Sequence, residues 1–470
     1  MQSPTSRKGS AMRSKSFSVT PLTDVLLIYP FQTTRFDRSP FRFPPLGIGY
    51  IASSLQQRGF KVEVLDCTFR DENDLLDQIE GSKPKIIGIY SMYLMERESI
   101  SLARKIKHTA DLLVAGGPLP TINPSIFLDD FDMVVVGEAE VTMLEIVEDF
   151  FDHKEPKKVN GIVFKDNFGI QHTPKREHIV DLDLIPFPAR ELFDNDAYKE
   201  YYQKSFGYTM TSMISSRGCP FKCDFCSRPV FGESFRSRSA TNIVDEMELI
   251  SKLGYDSIWF ADDCFTMSKD RVIRICDEII RRDLRINWQC LSRVDTRDPE
   301  MFLVMKKAGC RKIFFGVESG DERILKLMKK NVDIPAAREA ICNASSAGID
   351  TGAFFIIGYP GESNDTILNT IRFGTSLPLD YLSFTLPYPI PGTGLYDKVK
   401  DVLRAPSKKK IRLVDHELHF KSEFSEFKLK FAIVKATVQF RIRKYLGDRG
   451  YSIVGRLFEK ISDIIFRSLE

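Results

Sequence analysis

Arg217-Gly218-Cys219-Pro220-Phe221-Lys222-Cys223-Asp224-Phe225-Cys226 decides how this chain reads. Three cysteines, Cys219, Cys223 and Cys226, stand at C-x3-C-x2-C spacing on one short loop. A 4Fe–4S cluster normally takes four cysteine thiolates. No fourth cysteine lies near: Cys67 is far upstream, and Cys264 is the next one downstream. A cluster held by three thiolates keeps one iron open to a substrate or cofactor. The loop therefore points to chemistry rather than to electron storage alone. The competing reading is structural zinc, which wants four closed Cys or His ligands. The nearest histidines, His172 and His178, lie well upstream.

Working outward, the 470 residues allow two or three domains. A net charge of only +3 gives no global signal for nucleic acid. Nine cysteines, six of them scattered, argue against a disulfide framework and fit a reducing, cytoplasmic setting. Cys264, Cys276, Cys290, Cys310 and Cys342 read as small core residues. No apolar run reaches membrane-spanning length. Residues 1–20 are Ser-rich and basic (Arg7, Lys8, Arg13, Lys15), without an apolar stretch, and read as a disordered tail.

Ahead of the cysteines, short apolar runs alternate with helical segments. Val25–Tyr29, Val62–Leu65, Ile86–Tyr90, Leu112–Ala115 and Met133–Val136 read as buried strands. Leu46–Arg58, Asp74–Glu80 and Glu98–His108 read as helices. This alternation predicts an α/β, doubly wound, flavodoxin-like parallel sheet over 21–151. Such sheets bind ligands at the carboxyl ends of their strands, which here carry Gly116, Gly117 and Gly137. Glycines at such ends also serve plain strand-to-helix turns. Residues 152–204 read as a linker, with a polar hairpin around Asp166-Asn167-Phe168-Gly169 and a proline-rich boundary at Ile185–Arg190.

Beyond the linker, six strand-like runs recur with helices between: Met210–Ser215, Ser257–Ala261, Asn287–Ser292, Lys312–Val317, Thr351–Ile357 and Tyr381–Leu386. In α/β barrels the active groups follow such strands. The cysteine loop follows the first run, Asp262-Asp263 the second, Arg293 the third and Glu318-Ser319 the fourth. Gly358-Tyr359-Pro360-Gly361-Glu362 follows the fifth, and Pro387–Gly392, with Pro389, follows the sixth.

The cysteine loop, with aromatic Phe225 just before the last cysteine, resembles the radical S-adenosylmethionine (radical SAM) enzymes and their C-x3-C-x-aromatic-C motif. The resemblance implies a partial (βα)6 TIM-type barrel over 205–400. It also implies an open iron that chelates SAM and reductive cleavage to a 5′-deoxyadenosyl radical. By the same resemblance Asp262 and Asp263 suit the SAM ammonium and Arg293 its carboxylate, through a rigid fork of donors. Glu318 with Ser319 suits the ribose, and Gly358, Gly361 and Pro389 suit the adenine edge. Arg293 with Asp295 also reads as an ordinary ion pair.

Pro44-Pro45-Leu46-Gly47, Gly116–Thr121 and Gly137-Glu138-Ala139-Glu140, placed ahead of such a core, look like the cobalamin-binding branch of that family. The group includes radical C-methyltransferases and the anaerobic magnesium-protoporphyrin ester cyclase. D-x-H-x-x-G is absent, and Leu119 stands where many relatives place His. Cobalamin is therefore expected base-off, without a histidine ligand. The implied activity is C-methylation of an unactivated carbon, with ring closure, C–C coupling or lipid modification as the alternatives. Methylthiotransferases need a second amino-terminal cluster that Cys67 alone does not supply, and a non-catalytic metal scaffold is the remaining class. A ferredoxin or flavodoxin reductant is implied, with the substrate open and no nucleic acid expected.

Residues 401–470 read as a helical extension. Phe420, Phe424, Phe427, Phe431, Val434 and Val438 are spaced for one helix face. That face reads as packed on the barrel, as a lid, or as a basic amphipathic helix at a membrane through Lys428, Lys430, Lys435, Arg441, Arg443 and Lys444.

Overall fold

The computed structural model describes residues 23–30, 41–70, 72–404 and 417–470. The expected tail over 1–20 and the run Lys408-Lys409-Lys410 lie outside them.

Five parallel strands, β1 (Val25–Tyr29), β2 (Val62–Asp66), β3 (Ile86–Tyr90), β4 (Leu112–Gly116) and β5 (Met133–Val135), open the chain. The antiparallel β6 (Ile162–Asp166) and β7 (Gly169–His172) follow. The sheet order is β2-β1-β3-β4-β5-β6-β7. Its first five strands follow the doubly wound, flavodoxin-like order. Helices Leu46–Gln56 and Glu140–Phe151 cover one face; Glu72–Ser82 and Glu96–Ile106 cover the other. Burial on both faces is why Val25, Leu26, Leu27 and Ile28 form an unbroken apolar run. The hairpin expected in the linker is present, and it extends this sheet. The helix Asn195–Phe206 also ties the linker back: Tyr198 Oη donates to Asp66 Oδ2 at 2.6 Å, and Tyr202 Oη accepts from Arg42 N at 3.2 Å.

The second sheet starts at β8 (Met210–Met213). A small hairpin of β9 (Ser216–Arg217) and β10 (Arg236–Ser237) interrupts it. Then come β11 (Ser257–Phe260), β12 (Asn287–Arg293), β13 (Cys310–Glu318), β14 (Asp350–Ile356) and β15 (Tyr381–Thr385). All six long strands pair in parallel and in chain order, with β8 and β15 as unjoined edges, an open (βα)6 barrel. Ser239, Ser268, Asp298, Asp333 and Ser363 cap the helices that return to the sheet. Each such cap is worth about 1 kcal/mol.

The carboxyl-terminal segment departs from the sequence expectation. Its first helix runs Glu426–Gly450 with a kink at Gly447, then a wider turn at Tyr451–Gly455 leads into helix Arg456–Ser468. Leu429, Ala432, Ile433 and Ala436 form the buried face, whereas Phe427 is largely exposed. Lys428, Lys430 and Lys435, read from sequence as a basic surface, are buried. Each has a partner: Lys430 pairs with Glu426 one turn away at 2.7 Å, whereas Lys435 reaches Asp463 at 2.9 Å and Lys428 donates to Leu469 O at 2.6 Å, both far along the chain. Among the described residues no helix is long and apolar enough to cross a membrane.

Candidate functional site

The cysteine loop is fixed at both ends and in the middle. At its start, Asp262 is buried and accepts from Ser215 N (2.7 Å), Ser215 Oγ (2.6 Å) and Ser216 Oγ (2.6 Å). Gly218 follows with φ +81, and a Cβ there would sit 2.3 Å from Ser234 O. In the middle, Asp224 N donates to Met328 O (2.9 Å), and its carboxylate takes Lys398 Nζ (2.7 Å) and Tyr359 Oη. Burial pushes the Asp224 carboxyl up, but bonds from Lys398 and Tyr359 outweigh it and hold it below the usual range. Arg228 donates to the carbonyls of Cys219 and Phe221. The Arg293 guanidinium lies 3.5 Å over the Phe221 ring, with Nη1 3.9 Å from Cys223 Sγ.

Cys219 and Cys223 are half-buried, Cys226 is exposed, and none is in a disulfide. The Cys226 thiol is pushed up to about 11, first by the protein crowding it and then by Cys223. Its side chain nevertheless keeps solvent access. Neighbouring thiolates that repel one another are what a cationic cluster neutralises. Among the described residues no three Cys, His, Asp or Glu side chains converge tightly enough to hold a single metal ion. A cubane spreads its thiolates over separate irons and needs no such tight shell. Three thiolates on one loop with no fourth Cys or His ligand in it are the donor set of a cluster with one open iron.

Of the remaining expected SAM contacts, Asp263, Arg293 and Glu318 gather around the same loop, in different states. Asp262 is consumed by the serine bonds just described, so Asp263 is the one of the pair that faces the cavity. Burial, then repulsion from Asp262, raises the Asp263 carboxyl. Arg293 Nη2 donates to Lys330 O (3.0 Å) and Nε to Asp295 (3.0 Å), so the ion-pair reading of Arg293 holds beside its place at the loop. Glu318 is held at φ +72, a left-handed backbone that non-glycine residues rarely adopt. Its carboxylate pairs with buried Lys330 at 2.9 Å. Burial pulls Lys330 down, but Glu318 and Cys223 raise it further, so it stays charged. Ser319 Oγ bonds Thr370 Oγ1 at 3.0 Å. Phe225 packs on the barrel core, and Pro389 is buried. The notch left by Gly358 faces Leu429 of the carboxyl-terminal helix, and that of Gly361 faces Leu327. Both glycines thus serve close packing on their Cα side.

One cavity of about 490 Å³ joins the two sheets. Gly116, Gly117 and Gly137 line it from the first; Asp263 and the segment Ser227–Phe231 line it from the second. Added Cβ atoms at Gly47, Gly116 or Gly137 would meet nothing within 4 Å, so these positions leave an open, mostly apolar cradle. Leu119 is on the wall, and among the described residues no histidine is. This suits a broad, flat corrinoid held without an imidazole. Gly117 is tighter: its φ is +112 and a Cβ would lie 2.6 Å from Ser91 O.

Sequence reading missed the contact that locks the two halves together. Arg217, two residues before Cys219, is buried and bonds Glu138 Oε1 (3.0 Å) and Glu140 Oε1 (2.6 Å) from the first domain. Arg236, its neighbour on β10, also bonds Glu138 at 2.9 Å. Tyr50 and Phe231 face the Arg217 guanidinium at 5.3 and 4.9 Å. Burial lowers both partners' tendency to ionise; the opposite charges outweigh it, holding Glu138 below and Arg217 above their usual values. The signal was present as Gly137-Glu138-Ala139-Glu140, read only for its turn and cofactor, and as the arginine before Gly218.

Residues 213–374 match the radical SAM superfamily, and residues 34–147 match the B12 binding domain. An uncharacterized methyltransferase of Pyrococcus horikoshii is 31% identical over 437 residues, covering 91% of this chain and 92% of its own. The chain belongs to the B12-binding radical SAM family. It is an enzyme, and the cofactors of this family are a 4Fe–4S cluster, SAM and cobalamin. Cytidylyl-2-hydroxyethylphosphonate methyltransferase of Streptomyces wedmorensis is 27% identical, over 79% of this chain and 80% of its own. The anaerobic magnesium-protoporphyrin IX monomethyl ester cyclase of Cereibacter sphaeroides is 28% identical, over 76% and 61%. The fold matches the radical SAM methyltransferase TsrM of Kitasatospora setae at TM-score 0.70, with 20% identity and coverage of 82% of this chain and 76% of that one. It matches the cobalamin-dependent radical enzyme OxsB at 0.73, with 18% identity and coverage of 95% and 72%.

Proposed function

We propose that this radical SAM enzyme methylates an unactivated carbon with cobalamin as methyl carrier. The single observation behind the reading is the shared cavity, which reaches from Gly116 and Gly137 to Asp263 and the residues just after Cys226. When bound, the cluster supplies an electron to SAM and the corrinoid supplies a methyl carrier. The protein's part is to hold these groups on one shared cavity. Cys219, Cys223 and Cys226 would carry the cluster, and Arg228, Asp224 and Asp262 would keep their loop rigid. Asp263 is the better candidate for the SAM ammonium, because Asp262 is already occupied. Arg293 would take the SAM carboxylate and Glu318 with Ser319 the ribose, each giving up part of its present bonding. Phe225, Gly358, Gly361 and Pro389 would shape the adenine side. The apolar wall from Gly116 to Leu119 would shield the corrin face from water. Boundaries at 21–151, 152–204, 205–400 and 401–470 go with this reading, although β6 and β7 tie the linker to the first sheet. So do a ferredoxin- or flavodoxin-like reductant and a cytoplasmic location.

Methyltransferases among the relatives support methylation, and the cyclase supports ring closure as the second reading. The test is anaerobic reconstitution with cluster, cobalamin and methyl-labelled SAM under reduction. Label transferred to a carbon, with release of both S-adenosylhomocysteine and 5′-deoxyadenosine, supports methylation. Release of 5′-deoxyadenosine alone, from protein that holds no cobalamin, favours cyclisation or coupling.

A further inference from the structure

Helix Arg456–Ser468 is mounted with its polar side inward. Asp463 is buried and pairs with Lys435 at 2.9 Å and with Arg372; Glu459 takes Arg372 at 2.8 Å and Tyr451 Oη at 2.8 Å. Phe466 is the large apolar side chain of this helix that is buried, at 0% exposure. The opposite face carries Leu457, Ile461 and Ile464 at 61%, 51% and 69% exposure. The preceding turn adds Ile453 at 76% and Val454 at 52%. Soluble surfaces scatter single exposed apolar residues; a continuous run on one face marks a surface that is covered in use.

The charges around this run indicate what covers it. At 3.6 residues per turn, Arg456, Lys460 and Arg467 form a row bordering the row of Leu457, Ile461 and Ile464. All three cations are exposed, and Arg441 and Lys444 are exposed on the helix before. The acids of helix Arg456–Ser468, Glu459 and Asp463, face inward. Lys444 and Arg467 also pair with Asp380 and Asp365 of the barrel. Arg441, Arg456 and Lys460 make no such pair among the described residues. A second copy docking through the same face would set cation against cation. The basic stretch with Arg7, Lys8, Arg13 and Lys15 matches the rim no better. An apolar stripe edged by cations is the complement of an anionic lipid surface.

We propose that the outer face of the Ile453–Arg467 segment docks this enzyme on an anionic membrane surface, with the apolar row entering the lipid interface and the cationic row at the headgroups. The proposal stands apart from the reaction assigned above.

The test is flotation of the full-length, cluster-loaded protein with phosphatidylcholine vesicles, with and without phosphatidylglycerol. The wild type is expected to float with the anionic vesicles and to be released in part by salt. Ile461→Ser/Ile464→Ser alters exposed positions only and is expected to weaken partitioning about tenfold or more, with iron content and 5′-deoxyadenosine formation unchanged. Arg456→Glu/Lys460→Glu should lower binding to anionic vesicles and leave the small binding to neutral ones unaltered. Equal partitioning of wild type and the isoleucine variant would overturn the proposal. So would a dimer in sedimentation equilibrium that the isoleucine variant dissolves, since that assigns the face to a second copy.

Discussion

Removing Arg217 should loosen the joint between the two cofactor domains by an amount that depends on which acid is left behind. Arg217→Ala deletes one bond to Glu138 and one to Glu140, and leaves the guanidinium's place between Tyr50 and Phe231 empty. Glu138 keeps Arg236 at 2.9 Å and the Ile179 amide at 2.8 Å, so it remains satisfied. Glu140 loses the cation paired with it and is buried. Stranding one partner of a buried pair costs about 3–5 kcal/mol. Most of that penalty belongs to the orphaned charge, so Arg217→Ala/Glu140→Gln should recover well over half of it. Glu140→Gln alone should cost less than Arg217→Ala, because Arg217 still bonds Glu138. The assay is anaerobic thermal unfolding of the four proteins of the cycle, with the coupling read from the double variant. If the double variant is as unstable as the two single losses added together, the orphaned-charge argument is wrong. The same single variant should keep its iron but form fewer methylated products per 5′-deoxyadenosine, since the clamp sets the register of the domains.

Replacing all three of Cys219, Cys223 and Cys226 by Ala should abolish the reconstituted cluster; four irons retained by elemental analysis would refute the assignment. Arg293→Ala and Glu318→Ala should each weaken SAM binding by calorimetry more than they lower iron content, and normal affinity in both would remove those two roles. Gly116→Phe should exclude cobalamin while iron stays bound, because a side chain at Gly116 projects into the cavity without meeting protein, whereas any side chain at Gly117 collides with the Ser91 carbonyl. Visible absorbance of the bound corrinoid reads this directly. Burial raises the Glu362 carboxyl from 4.5 to about 8. The unfolded chain therefore releases this proton first, and stability falls as pH rises from about 4.5 to 8, by at most about 5 kcal/mol. Glu362→Gln keeps an oxygen for the Gly358 and Tyr359 amides. Its melting temperature should gain on wild type between pH 5 and 8, and a constant gap would refute the shift.

The first sheet was legible because a parallel sheet covered on both faces forces unbroken runs such as Val25–Ile28. The barrel was legible by recurrence instead: β8 and β12 carry polar residues (Thr211, Ser212, Gln289), yet all six long strands fall where the strand-like runs stand. The cysteine loop declared itself by spacing. What sequence did not separate was Asp262 from Asp263: adjacent carboxylates look alike until one is seen bonded to Ser215 and Ser216. Nor did it separate an exposed lysine from a buried one in the carboxyl-terminal helix. Lys435 is buried because Asp463, far along the chain, comes back to meet it. Long-range pairing of charges leaves no periodic trace, and the Arg217–Glu140 bond was hidden in the same way.

The hairpin of β6 and β7 makes the visible domain boundary a poor place to cut. β5 is three residues long, and its outer edge is paired by β6 through Met133–Phe164, Val134–Val163 and Val135–Ile162. A fragment ending at residue 151 would keep every helix of the first domain and lose that cover. Its apolar edge, Met133, Val134 and Val135, would offer open amides and carbonyls to any other strand. During synthesis the ribosome would hold the domain in this unfinished condition until residue 172 emerged. The B12-binding half becomes self-sufficient against aggregation only once part of what looks like connecting sequence has been made.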